Sequence, residues 1–112
     1  MVPGMIKYVM SGSLTKKVDE TYQLSKRKGG GTLRIEIWAD AAGRVARFNL
    51  AYVNHALFQR DNGRVLGYDS AHGKWHRHYY GRVTAVKAKS FAEIEAVFEK
   101  EWLALSRSIE HG

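Results

Sequence analysis

The C-terminal end of the chain dictates what the remainder must supply. Phe91, Ile94, Phe98, Trp102, Leu105 and Ile109 recur at spacings of three and four, the period that lines side chains along one face of an α-helix. Ser90 followed by Glu93 forms a capping box, in which each side chain satisfies a backbone N–H left free by the first turn, so the helix is expected to begin at Phe91. Glu93, Lys100 and Arg107 fall off the stripe. A stripe this aromatic belongs in a core rather than in a ligand box, because large apolar side chains seek burial. It needs a broad, flat, apolar partner.

That partner is expected from the middle of the chain. Leu33, Ile35 and Ile37 alternate with Arg34, Glu36 and Trp38. Beyond an Asp40-Ala41-Ala42-Gly43 turn, Phe48, Leu50 and Tyr52 alternate with Arg47, Asn49 and Ala51. A period of two marks strands with one covered face, so the two runs predict a hairpin. Asn62-Gly63 suits a two-residue primed turn and predicts a second hairpin, between Leu57–Arg60 and Val65–Tyr68. Trp75–Tyr80 reads as a further strand, and Val83–Lys87 as another. Residues 14–24, with Leu14, Val18 and Tyr22 on one side, read as a short N-terminal helix. Lys26-Arg27-Lys28-Gly29-Gly30-Gly31 reads as a basic, flexible connector. It is no phosphate loop, since no Gly-Lys-Ser/Thr follows and no strand is expected before it.

The expected architecture is one α+β domain over residues 1–112. It comprises a basic segment with a Gly-rich connector (1–31), an antiparallel sheet of about four to six strands (32–89) and the C-terminal helix (90–110). Composition agrees: the 112 residues are 45% hydrophobic and 12% aromatic, enough for one core and unlike a disordered tail. There is no Cys, which excludes disulfide frameworks, thiolate zinc sites, iron–sulfur clusters and cysteine nucleophiles, and leaves His and carboxylates as the metal ligands available. No run approaches the roughly 20 apolar residues that span a bilayer, and the first ten residues are too short and broken for a signal peptide. The expectation is a cytoplasmic protein with no membrane partner.

The net charge is +7, and its distribution is more telling than its total. Residues 1–89 hold sixteen of the 18 basic side chains against six acidic ones, whereas residues 90–112 hold two against five. A basic body attached to an acidic helix favours an anionic partner for the body: RNA, DNA or an acidic protein.

Most of the visible chemistry lies in residues 67–81, Gly-Tyr-Asp-Ser-Ala-His-Gly-Lys-Trp-His-Arg-His-Tyr-Tyr-Gly. Three of the five histidines, His72, His76 and His78, fall within seven residues there. On a strand His76 and His78 point to one face and Trp75, Arg77 and Tyr79 to the other. Imidazole both accepts and donates protons near neutrality, so a pair suits general acid–base catalysis. Asp69 can orient one ring as a triad carboxylate does. The catalytic candidates are therefore His76, His78, Asp69 and His72. Arg77 and Lys74 are candidates for holding a phosphate, and Tyr68 and Tyr79 for stacking on bases. His55 and His111 have no supporting neighbours.

The chain here resembles the TumE-type toxins of bacterial type II toxin–antitoxin pairs and their uncharacterised relatives. The likeness rests on Tyr68-Asp69, His72-Gly73 and His76-Arg77-His78-Tyr79 followed by Gly81, and more weakly on Glu36-Ile37-Trp38 and the closing Phe/Trp helix. It spans about residues 33–106. Ser70 departs from the Asn that often follows Tyr-Asp in such proteins, and the basic residues 11–31 make a longer N-terminal approach. The resemblance implies a growth-inhibiting protein acting on RNA or the translation machinery, neutralised by a cognate helix-turn-helix antitoxin.

Residues and resemblance together give the expectation of a metal-independent endoribonuclease. One of His76 and His78 removes the 2′-hydroxyl proton, the other protonates the leaving 5′ oxygen, Arg77 neutralises the phosphate, and Tyr68 or Tyr79 positions a base. Two other readings stand beside it. Asp69, His72, His76 and His78 could coordinate a divalent metal such as zinc, manganese or iron. A non-catalytic basic module could bind nucleic acid or an acidic protein through Arg34, Arg47, Arg60, Arg64 and Arg82. The sequence leaves open whether the chain forms a homodimer.

Overall fold

Six strands pair in the order in which the chain makes them. The structure, a computed structural model, describes residues 14–71 and 73–110. Strands β1 (Thr15–Gln23), β2 (Thr32–Ala39), β3 (Val45–Val53), β4 (Arg64–Ala71), β5 (Lys74–Tyr79) and β6 (Arg82–Ala85) form one antiparallel meander, followed by helix α1 (Phe91–Glu110). This is the expected single α+β domain.

Helix α1 starts where its cap predicts. The Glu93 N–H donates to Ser90 Oγ at 3.3 Å, and the Glu93 carboxylate accepts from the Lys89 N–H at 3.2 Å, one residue earlier than a strict capping box. Ile94 and Phe98 are buried, with Phe91, Trp102 and Leu105 packed beside them. The face they meet is the alternating set foreseen in β2 and β3: Leu33, Phe48, Leu50 and Tyr52, joined by Leu66 and Tyr68 of β4. Cross-strand partners Leu33 and Tyr52, Leu50 and Tyr68, and Tyr52 and Leu66 stand opposite one another on this face. Aromatic contacts tie the helix down, with Phe91 4.9 Å from Phe48 and Phe98 edge-on to Tyr68 at 6.3 Å. The opposite face of the sheet carries no helix among the described residues.

Three expectations are corrected. Residues 14–24 are not a helix; Thr15–Gln23 is strand β1, paired along β2. A spacing of four places Val18 and Tyr22 on one side of a strand as readily as on one side of a helix, while the register shift between Lys16 and Val18 breaks the alternation before them. The edge of β2 decides between them: Val18 stands opposite Ile37, Tyr22 opposite Leu33, and Lys16 reaches Glu36 at 2.7 Å.

The second hairpin also has a different partner. Asp61, Asn62 and Gly63 are all left-handed, at φ of 52°, 54° and 82°, as residues of these types tolerate. They nevertheless end a loop that leaves β3 at Asn54, and β4 pairs with β3 rather than with Leu57–Arg60. The Asn54 N–H donates to the Gly63 carbonyl at 2.8 Å, while Leu57 and Phe58 turn back on the Asn54 carbonyl.

The Gly-rich connector is a packed turn rather than a flexible tether. Gly29, Gly30 and Gly31 have φ of 93°, 71° and 93°, a conformation that side chains with a Cβ resist. A Cβ on Gly29 would lie 2.6 Å from the backbone oxygen of Ser106 in α1, and one on Gly31 would lie 2.7 Å from the Val53 carbonyl. Asn54, almost fully buried, donates through Nδ2 to the Gly29 carbonyl at 3.1 Å and to the Tyr52 hydroxyl at 3.0 Å. Tyr52 in turn donates to the Gly30 carbonyl. These hydrogen bonds clip the β1–β2 turn to β3, and Gly29 seats the turn against the α1 backbone at Ser106.

The last hairpin has a two-residue turn, Tyr80-Gly81, between the partners Tyr79 and Arg82. Both turn residues are left-handed, at φ of 49° and 80°, the primed geometry that matches strand twist. The final strand is shorter than Val83–Lys87 suggested, at Arg82–Ala85. No helix of the described residues is long and apolar enough to cross a membrane.

Candidate functional site on the open face of the sheet

The pairing of β4 with β5 places Asp69 opposite His76 and Gly67 opposite His78. All four lie on the face that α1 leaves open, because directly opposed residues share a face. The strand alternation expected for His76 and His78 therefore holds, and Asp69 is brought beside both. His78 Nε2 lies 2.9 Å from Asp69 Oδ2, and His76 Nδ1 lies 3.9 Å from Asp69 Oδ1.

A fourth side chain completes the cluster. Arg64 Nη2 lies 3.0 Å from His78 Nδ1, and Arg64 Nη1 lies 3.6 Å from Asp69 Oδ2. Asp61 anchors the same guanidinium, at 2.8 Å from Nε and 2.7 Å from Nη2. Guanidinium nitrogens only donate, so His78 Nδ1 must offer its lone pair and the ring proton sits on Nε2, pointing at Asp69. The two histidines are consequently unequal. Both nitrogens of His78 are engaged and its side chain is 14% exposed, whereas His76 is 29% exposed and makes only the longer approach to Asp69.

Arg64 reaches His78 because Gly67 is in its path. The register shifts where Arg64 and Leu66 face Val53 and Tyr52, which turns the Arg64 side chain over the open face. A Cβ at position 67 would stand 2.8 Å from Arg64 Cδ, closer than non-bonded carbons approach. The absence of a side chain at Gly67 is what lets the arginine cross the sheet.

The polar row continues over β3, β2 and β1. Asn49, opposite Asp69, donates to Glu36 at 3.1 Å. Glu36 also meets Lys16 at 2.7 Å and Arg34 at 3.3 Å. The hydrogen bond from Lys16, then that from Asn49, holds the Glu36 carboxyl below its ordinary pKa, and Asp19 is lowered by Lys16 and Arg34. Lys16 and Arg47 both stand over the Trp38 ring, at 4.9 and 4.7 Å from its centre. The open face thus carries cations, an indole and the histidine cluster together. Lys74 heads β5 and, with His76, Trp75 and Lys87, lines a hollow of about 440 Å³.

The other sequence candidates fall elsewhere. Arg77 and Tyr68 lie beneath the helix on the opposite face, where Arg77 Nη2 donates to Glu101 Oε2 at 2.5 Å and its Nε to the Tyr68 hydroxyl at 3.0 Å. Tyr68 also donates to Glu101. Burial, and next the Glu101 carboxylate, push the Tyr68 phenol up to about 12. Tyr79 shares that face at the far end of β5, with the Arg77 guanidinium 4.4 Å over its ring. His72 lies outside the described residues.

Sequence reasoning missed Arg64, Asp61 and Glu101 as partners. Arg64 depends on a register shift that no periodicity reveals. Glu101 did leave a signal, since it stands three residues after Phe98 and four before Leu105, inside the apolar stripe. A carboxylate there needs a cation on the sheet, and Arg77 is that cation.

Among the described residues, no group of three His, Asp or Glu side chains is arranged to hold a metal ion. No protein-family model matches the chain, and neither a curated protein nor a solved structure matches it.

Proposed function

We propose that the open face of the sheet binds RNA and that the His76–Asp69–His78–Arg64 cluster cleaves it without a metal, the chain serving as the toxin of a toxin–antitoxin pair. The observation that supports this reading is an imidazole pair sharing one carboxylate, set among cations on the face that α1 leaves open. The antitoxin, a helix-turn-helix protein, is proposed from the resemblance over about residues 33–106.

The geometry suggests an order of events. A phosphate of RNA arrives between Arg64 and Lys74 and draws the Arg64 guanidinium off His78. His76 takes the 2′-hydroxyl proton as the 2′ oxygen attacks phosphorus. The bond from phosphorus to the 5′ oxygen breaks, and His78, whose freed Nδ1 has taken up a proton from water, donates that proton to the leaving oxygen; His76 later releases the proton it took to water. The products are a 2′,3′-cyclic phosphate and a 5′-hydroxyl. Since the nucleophile is the 2′-hydroxyl, DNA is no substrate.

The test uses the purified full chain, free of antitoxin and contaminating nuclease, in excess chelator. Cleavage of RNA but not of its all-deoxy counterpart is expected, with loss of about 10²–10⁴-fold in rate for His76→Ala. If the protein cuts no RNA and His76→Ala arrests growth as fully as the unaltered chain, the catalytic reading is wrong. The engagement of both His78 nitrogens favours one second reading, a non-catalytic RNA-binding face. In that case affinity falls steeply with salt and tolerates alanine at His76 and His78.

A further inference from the structure

The hairpin of β5 and β6 presents a second set of groups on the side of the sheet away from His76 and His78. Arg77 stands opposite Thr84, and Tyr79 opposite Arg82. With Tyr80 they line a hollow of about 380 Å³. Tyr79 and Tyr80 are exposed for large hydrophobic side chains, at 37% and 40%, and their rings meet edge to face at 4.8 Å. Arg82 has no ion-pair partner among the described residues.

Tyr80 occupies a place where tyrosine is costly. Its φ is 49°, in the first position of a primed turn that Asn, Asp or Gly fills most readily. A left-handed conformation strains a non-glycine residue, and the turn would close equally well with Asn. The return is a ring fixed between Phe58, at 5.8 Å, and Tyr79. Strained backbone of this kind collects where a side chain is held for a ligand.

We propose that this hollow binds a nucleotide unit, with Arg82 on its phosphate and the exposed parts of Tyr79 and Tyr80 against its base. A phosphate alone would find the cation but leave the rings unused. An uncharged aromatic molecule would find the rings but not Arg82. Arg77 is already neutralised by Glu101, so its contribution is to hold the Tyr79 ring from behind. In the setting of the proposed RNA cleavage, on which this role rests, the hollow is a subsite for a nucleotide beyond the scissile bond. Strand β5 supplies both sites from alternate residues, and only the short β6 separates them from the sheet edge. A single strand of RNA bending around that edge touches both.

Adenosine monophosphate, uridine monophosphate, adenosine and inorganic phosphate are titrated separately into the full chain, followed by amide and aromatic NMR shifts. The expected result is that the two nucleotides shift Tyr79, Tyr80 and Arg82 signals and bind at least tenfold tighter than adenosine or phosphate. Arg82→Ala should remove that margin, Arg82→Lys should restore part of it, and His76→Ala should leave it unchanged. In RNA cleavage, Arg82→Ala should raise KM and leave kcat as it was. Nucleotide shifts confined to the open face, or nucleotide affinity indifferent to Arg82→Ala, overturn the subsite. A chain that binds mononucleotides at Tyr79 and Tyr80 but cuts no RNA retains the nucleotide site and refutes only the cleavage reading.

Discussion

Replacing Gly29 with alanine should unfold far more of the protein than replacing its neighbour Gly30, although both residues are left-handed. Alanine at either position must adopt a φ near that of the glycine, 93° at Gly29 and 71° at Gly30, a conformational cost of roughly 1–2 kcal/mol. Only Gly29 adds a collision. Its Cβ would fall 2.6 Å from the Ser106 carbonyl oxygen and 3.2 Å from the Ser106 Cα, whereas nothing lies within 4 Å of a Cβ on Gly30. The obstacle is helix backbone and cannot rotate away, so overpacking adds about 1–3 kcal/mol. Alanine also stiffens the unfolded chain, which returns about 0.4–1 kcal/mol at both positions. The expected losses are about 1–5 kcal/mol for Gly29→Ala and about 0–2 kcal/mol for Gly30→Ala, so that Gly29→Ala costs about 1–3 kcal/mol more than its neighbour. Urea unfolding followed by tryptophan fluorescence measures both, with the slope on denaturant unchanged if the native fold is retained. Equal losses would refute the reasoning, because they would mean that the turn does not sit against α1. Losses near zero at both positions would mean that the segment is the flexible connector its composition suggests.

Further expectations follow from other contacts. Asn54→Ala removes donors to Gly29 and Tyr52 and an acceptor for the Ala56 N–H, and should cost about 2–4 kcal/mol in the same unfolding assay. The raised pKa of Tyr68 means that the folded state holds the phenolic proton more tightly than the unfolded chain, whose pKa is near 10. Its contribution is therefore complete below pH 10 and lost as pH rises toward about 12, a loss of about 2–3 kcal/mol that urea titrations at stepped alkaline pH should detect and Tyr68→Phe should abolish. Gly67→Ala should displace Arg64, since the clash at 2.8 Å is with a flexible side chain. It should change the ¹⁵N shift of His78 Nδ1 and, because the new Cβ also lies 3.3 Å from the Leu50 carbonyl oxygen of β3, cost about 1 kcal/mol of stability. Phe98→Ala empties the contact between α1 and Tyr68 and should cost about 3–5 kcal/mol by thermal or urea unfolding.

The elements legible in the sequence were those whose burial alone fixes their period. The stripe from Phe91 to Ile109 specifies α1, and the alternation of Leu33 to Ile37 and Phe48 to Tyr52 specifies β2 and β3, because each has one covered face. Strand β1 is not legible as a strand because it lies at the sheet edge with Val18 only half covered, and the spacing of four between Val18 and Tyr22 fits either period. The Asn62-Gly63 signal was sound as local geometry, but which strands a turn joins depends on pairing across the sheet, here between Leu50 and Tyr68 and between Tyr52 and Leu66. At the site, alternation along β5 was enough to set His76 and His78 side by side and to send Arg77 to the other face. Their inequality was not legible, because it comes from Arg64, whose reach depends on a register shift and on the missing side chain of Gly67.

The meander has a consequence for how the molecule is made. Each strand finds its partner in the segment just before it, so the strand pairings are local and each ladder can close as its second strand leaves the ribosome. Synthesis proceeds at about 5–20 residues per second. At that rate the strands emerge ahead of α1, and the part of the sheet already paired stands with Phe48, Leu50, Tyr52, Leu66 and Tyr68 open to water until the helix follows. During that interval the nascent chain displays an uncovered apolar sheet face, the kind of surface that chaperones hold and that neighbouring copies adhere to. A chain stopped before Phe91 would keep that surface permanently.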